Sequence, residues 1–131
     1  MTFAKLGLSK AITHTLDELG YEKPTPIQTQ AIPLILSKKD VLAAAQTGTG
    51  KTAAFTLPLL EQLKDGDRAD SKQVRALILA PTRELASQIG ESVRSYSRGL
   101  GLRSQTIFGG VKAFPQINRL QRGADILVAT P

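Results

Sequence analysis

The sequence predicts an α/β fold in which a parallel sheet is flanked by helices, and three observations carry that prediction. A glycine-rich segment, Ala45-Gln46-Thr47-Gly48-Thr49-Gly50-Lys51-Thr52, stands between an apolar run and a helix-like stretch. Apolar runs of strand length alternate with stretches of helical periodicity along the 131 residues. Each run ends in a polar or glycine-rich segment, and ligands of open α/β sheets sit at the carboxyl ends of the strands.

The elements follow in order. Ser9 caps a helix that reaches about Leu19 and carries Ile12, Leu16 and Leu19 on one face. Gly20 ends it. Thr25 caps a second helix, with Pro26 in its first turn and Ile27, Ala31, Ile32 and Leu34 following. Pro33 is expected to kink or split that helix, because it removes a backbone donor. Lys38-Lys39-Asp40 is a turn, residues 41–45 are the first strand and residues 50–64 a helix. The run from Asp65 to Lys72 is a polar loop. Its Asp65, Asp67 and Asp70 lack the rest of a calcium loop and read as a solvated linker. Residues 75–80 form the second strand, whose continuous apolar character predicts burial on both faces. A helix follows from about Arg83 to Arg98, stopped by Gly99 and Gly101. Residues 104–108 are the third strand, 114–121 a helix and 125–129 the fourth strand. All four strand ends are expected on one edge of one sheet.

Composition bounds the chemistry. Apolar residues make up 41%, a globular proportion, and the absence of cysteine excludes disulfides and thiolate metal sites. The net charge of +6 is spread along the chain, which suits a polyanionic partner as well as ordinary solubility. No stretch reads as a signal peptide or a membrane span. His14, the one histidine, falls mid-helix and reads as a surface or packed residue.

The segment 45–52 has the context of a phosphate-binding loop: strand, glycine-rich turn, helix. Gly48 and Gly50 allow a tight turn that points backbone N–H groups inward, and the helix N-terminus adds to the anion site. Lys51 would reach β- and γ-phosphates, and the Thr52 hydroxyl would ligate Mg²⁺. A chance match to this pattern arises in roughly one chain in a hundred of this length. Ala45 stands where the usual pattern has glycine.

Beyond this loop the chain resembles the DEAD-box RNA helicases. Gly20-Tyr21-Glu22-Lys23-Pro24-Thr25-Pro26-Ile27-Gln28 is similar to their Q motif, and 45–52 to motif I, where the family commonly has alanine first. Pro81-Thr82-Arg83-Glu84-Leu85-Ala86 resembles motif Ia, Gly109-Gly110 the GG motif, and Thr130-Pro131 the start of motif Ib. Phe108-Gly109-Gly110-Val111 and the short N-terminus are similar to the bacterial RhlE-type branch. The resemblance implies a P-loop NTPase of RecA-like fold. It places a Q-motif helical region at 1–40 and a partial helicase ATP-binding domain at 41–131.

The resemblance also implies roles. ATP with Mg²⁺ would be held by Ala45, Gln46, Thr47, Gly48, Thr49, Gly50, Lys51 and Thr52, of which Lys51 and Thr52 serve the chemistry. Gln28 would pair with the adenine edge, since an amide has both donor and acceptor. Tyr21 would lie against the adenine ring with Phe3 flanking it, although both also read as plain packing hydrophobes. RNA would be contacted through its backbone by Pro81, Thr82, Arg83, Gly109, Gly110 and Thr130, without sequence readout. A cytoplasmic location goes with the family. The other readings are a DNA helicase or translocase of the P-loop class and a non-catalytic nucleotide- or RNA-binding module.

The sequence stops at Thr130-Pro131, where the family continues into Gly-Arg, and it contains no Asp-Glu-Ala-Asp or Ser-Ala-Thr motif. Phosphoryl transfer needs those parts for positioning and charge neutralisation. The expectation is an N-terminal fragment of the first RecA-like lobe, cut before the strands that carry the two motifs. Such a fragment would bind nucleotide weakly and hydrolyse it negligibly. Those strands would lie between the first and second strands, so the fragment is expected to dimerise, exchange strands or rearrange its sheet.

Overall fold

The computed structural model describes residues 1–48 and 50–131 and divides into two compact units. One comprises Met1–Asp65 with Tyr96–Leu100, the other Gly66–Ser95 with Gly101–Pro131.

The first unit is helical. A 3-10 turn at Ala4–Leu6 precedes α1 (Lys10–Glu18), α2 (Pro26–Leu36) and α3 (Lys51–Leu63). Ser9 occupies the N-cap of α1 with extended backbone, but its side chain makes no cap bond. Its N–H instead donates to Glu61 Oε2 at 3.0 Å, which ties the start of α1 to α3. After α1, Gly20 at φ +85° turns the chain, and the Tyr21 N–H donates to the Leu16 carbonyl at 2.9 Å. α2 runs unbroken through Pro33, so of the expected kink or split the split does not occur. The helix packs extensively on α3 and buries Gln28, Ala31 and Ile32, and this tertiary contact outweighs one missing backbone bond. Ile12, Leu16, Ile32, Leu57 and Leu60 are almost wholly buried. Each such side chain contributes about 1.5–3 kcal/mol relative to exposure.

Residues 41–46 form no strand, which corrects the expected first strand. They are exposed apart from half-buried Ala45, and Leu42 is fully so. A strand is stabilised by a hydrogen-bonded neighbouring strand, and among the described residues the sheet comprises β1, β3 and β2 without this segment.

The second unit contains β1 (Val74–Leu79), α4 (Arg83–Tyr96) except its last residue, β2 (Ser104–Ile107), α5 (Ala113–Leu120) and β3 (Ala124–Ala129). The sheet is parallel, in the order β1-β3-β2, and Val128 stands beside both Ile78 and Thr106. Ile78, Ile126 and Val128 share a buried face, as do Ala86, Ile89 and Val93 of α4. Gly90 of α4 abuts Thr106, so that a Cβ at residue 90 would collide with Thr106 Oγ1.

The other face is open over β1. Leu77 is 57% and Leu79 61% exposed, so this strand is not buried on both faces as its composition suggests. Among the described residues β1 is an edge strand, paired only with β3. Leu127, beside Leu77, lines a groove of about 310 Å³ together with Val74, Ile117 and Leu120.

Asp125 near the start of β3 is fully buried. Its carboxylate accepts the N–H of Ala69 at 2.8 Å, the N–H of Arg103 at 2.9 Å and Arg75 Nη1 at 3.3 Å. Burial alone would raise its pKa, but the two backbone donors and the guanidinium outweigh it and hold the carboxyl below its ordinary value. Among the described residues no helix is long and apolar enough to cross a membrane.

Candidate functional site

Gly48 at φ +83° and Gly50 at φ +90° build the turn of the glycine-rich loop, with Gly50 serving as the N-cap of α3. Such left-handed backbone is open to glycine and strained for other residues. Gln46, Thr47, Gly48 and Lys51 are exposed, while Ala45, Gly50 and Thr52 are half-buried. Thr49 lies outside the described residues. The arrangement places Lys51 and Thr52 on the first turn of a 13-residue helix, where backbone N–H groups lack intrahelical acceptors and the helix dipole favours an anion.

Gln28 reaches this loop from α2. It is only 3% exposed, and both ends of its amide are engaged. Oε1 accepts the Thr25 N–H at 2.9 Å, and Nε2 donates to the Gly50 carbonyl at 3.2 Å. Among the described residues, one of the two Nε2 protons is left after these contacts. Thr25 Oγ1 is buried beside Gly50, facing the Gln28 N–H in a capping box at the start of α2. Thr25-Pro26-Ile27-Gln28 therefore starts α2 and braces the phosphate loop with the same residues.

The two aromatic candidates differ in accessibility. Tyr21 is 41% exposed; its hydroxyl lies 3.2 Å from that of Tyr96, and the two rings meet edge to face at 6.0 Å. Phe3 is buried in the helical core, a position of packing, and offers no open face to a ligand. His14 pairs at the surface with Glu18 at 3.1 Å.

In the second unit, one end of the sheet gathers the remaining candidates. The Thr82 hydroxyl accepts the Leu85 N–H at 3.1 Å and so caps α4. Arg83 follows on the first helical turn, exposed, with its guanidinium beside Gly110. Thr130 Oγ1 accepts the Gly109 N–H at 3.2 Å, and the Thr130 N–H donates to the Ile107 carbonyl at 3.3 Å. Pro81, Gly109 and Gly110 are exposed. Three of the four polar strand ends thus meet at the carboxyl edge of this sheet. The phosphate loop belongs to the other unit and follows no strand. An exposed edge of small residues, a helix N-terminus and one guanidinium can hold a phosphodiester backbone.

Sequence reasoning missed Gln116 and Asp125. The signal for Asp125 is a carboxylate leading a continuous apolar strand. For Gln116 the sequence offers none, because Phe114 and Ile117 beside it look like the buried face of their helix and are exposed instead.

Residues 25–131 match the model of the DEAD/DEAH box helicase family. The chain is 49% identical over 131 residues to the RNA helicase CrhR of Synechocystis, covering 99% of this chain and 25% of that protein. It is 46% identical over 130 residues to the pre-mRNA-processing ATP-dependent RNA helicase prp-5 of Neurospora crassa, covering 98% of this chain and 11% of that one. Among solved structures, the RNA helicase Prp28 of Chaetomium thermophilum bound to ADP superposes with a TM-score of 0.90 at 42% identity. That match covers 99% of this chain and 32% of Prp28. A DEAD box protein of Methanococcus jannaschii gives 0.88 at 39%, covering all of this chain and 35% of its own. The chain spans a quarter or less of the length of the two sequence relatives.

Proposed function

This chain belongs to the DEAD/DEAH box helicase family, and on that premise we propose that it is the adenine-nucleotide- and RNA-contacting part of an ATP-dependent RNA helicase. The observation that carries the reading is the brace between Gln28 and Gly50, which joins a hydrogen-bonding amide to the turn of a phosphate loop. In this reading Gln28 offers its remaining proton to the adenine edge, with Tyr21 against the ring. Phosphates lie over Gly48–Thr52, and Lys51 balances their charge. A solved relative bound to ADP supports the class of ligand.

Mg²⁺ fits the donor set at one point, the half-buried hydroxyl of Thr52 on the first turn of α3. The ion, when bound, neutralises charge on the phosphates. Lys51 and the loop N–H groups orient the nucleotide. The 131 residues contain no Asp-Glu-Ala-Asp run, and this chain by itself binds nucleotide weakly and turns it over negligibly. RNA duplex or RNA–protein remodelling belongs to the whole protein. The RNA backbone runs along Pro81–Arg83, Gly109-Gly110 and Thr130, and a cytoplasmic location goes with these ligands.

Self-association is part of the proposal. The edge of β1 that no described strand covers, with exposed Leu77 and Leu79, and the exposed apolar residues 41–44 are each a template for another chain.

Equilibrium binding of a fluorescent adenine nucleotide with Mg²⁺ tests the nucleotide reading, comparing the chain with Gln28→Ala and Lys51→Ala. Saturable binding that both substitutions abolish and GTP does not compete for is the expected result. A folded chain that binds no nucleotide would overturn it.

A further inference from the structure

Gln116 is buried in α5 at 8% exposure, on a helix that leaves Phe114 72% and Ile117 52% exposed. The helix thus buries an amide and exposes two large apolar side chains, the reverse of what solvation favours. The reason lies in the hydrogen bonds. Gln116 Oε1 accepts the Phe108 N–H at 2.8 Å, and Nε2 donates to the Phe108 carbonyl at 3.3 Å and the Lys112 carbonyl at 3.2 Å. Both Nε2 protons are therefore used, and the two contacts to Phe108 copy those of a neighbouring strand.

Phe108 directly follows β2. Successive residues of a strand turn their peptide groups to opposite sides, and the Ile107 carbonyl faces β3, where it accepts the Thr130 N–H. The peptide groups of Phe108 therefore face the free edge of β2, and Gln116 occupies the place of the next strand there. On the other side the Gly109 N–H is held by Thr130 Oγ1. The turn Gly109-Gly110 is clasped from both flanks, next to the Arg83 guanidinium.

We infer that Gln116 is a positioning residue for RNA: it fixes the end of β2 so that Gly109 and Gly110 present their backbone to a phosphodiester chain. The inference rests on the RNA reading above. Gln116 itself touches no RNA and acts through the turn, so its loss weakens binding without removing an ionic contact. Arg83, in contrast, is read as a direct phosphate contact.

The test is fluorescence anisotropy of a labelled oligouridylate, titrated with the chain at several salt concentrations. Gln116→Leu is expected to weaken binding roughly tenfold with an unchanged salt slope. Arg83→Ala is expected to reduce the slope by about one. Amide hydrogen exchange supplies a second readout: Gly109, bonded to Thr130 and not to Gln116, should lose protection in Gln116→Leu. If that variant does not fold, Gln116→Glu takes its place, since it keeps the acceptor for Phe108 and loses both donors. RNA binding that Arg83→Ala weakens but a folded Gln116 variant leaves intact, with Gly109 still protected, overturns the inference alone. No binding by the unaltered chain overturns the RNA reading and this inference with it.

Discussion

Gln28 Nε2 donates to the Gly50 carbonyl at 3.2 Å across 22 positions of sequence, while its Oε1 holds the N–H of Thr25 at 2.9 Å. One side chain thereby starts a helix and holds the turn of a phosphate loop. Substitution to alanine leaves the Thr25 N–H and the Gly50 carbonyl without this partner, in partly buried surroundings. The expected loss of stability is about 1–3 kcal/mol, read as a lower urea midpoint. Gln28→Glu keeps the acceptor for Thr25 but sets a buried carboxylate oxygen against the Gly50 carbonyl, so it should be no more stable than the alanine variant and bind adenine nucleotide poorly.

The two loop glycines should respond differently. Gly48 and Gly50 both have left-handed backbone, which costs an alanine about 1–2 kcal/mol. A Cβ at Gly48 meets nothing within 4 Å, whereas one at Gly50 runs into Gln28 Nε2 and Thr25 Oγ1. Gly50→Ala is therefore the more damaging of the pair in thermal melts. The gap should narrow when both are compared in a Gln28→Ala background.

Asp125 sets a pH dependence. Its folded-state pKa is lowered, so the unfolded chain binds the proton more readily. The contribution to stability is complete above the ordinary carboxyl pKa of about 4 and disappears as pH falls through the lower folded value. Urea midpoints measured down to acid pH should fall in the parent and lose this component in Asp125→Asn. At neutral pH that variant should be less stable by about 1–3 kcal/mol, because the N–H donors of Ala69 and Arg103 lose a charged acceptor.

The exposed face of β1 predicts concentration-dependent association. Replacing Leu77 and Leu79 together by lysine places charge on the edge strand, a device that blocks edge pairing. Sedimentation velocity should show larger species in the parent at high concentration and a shift toward monomer in the double variant. A parent that stays monomeric throughout contradicts the self-association reading.

What the sequence by itself determined is local. The helices near 10–18, 26–36, 51–63, 83–96 and 113–120 and the strands near 74–79, 104–107 and 124–129 were legible because caps, turns and periodicity act over a few residues. The glycine-rich loop, the Thr25–Gln28 helix start and the Thr82–Arg83 helix start were legible for the same reason.

Tertiary structure decided everything that depends on a distant partner. It gave Gln28 a carbonyl 22 residues away, passed α2 unbroken through Pro33 and turned α5 so that Gln116 rather than Phe114 is buried. It also left residues 41–45 outside the sheet, although their composition reads as a strand. Strand propensity measures how well a residue fits a pleated surface, and the pairing that realises it depends on a neighbouring strand, which no local pattern specifies.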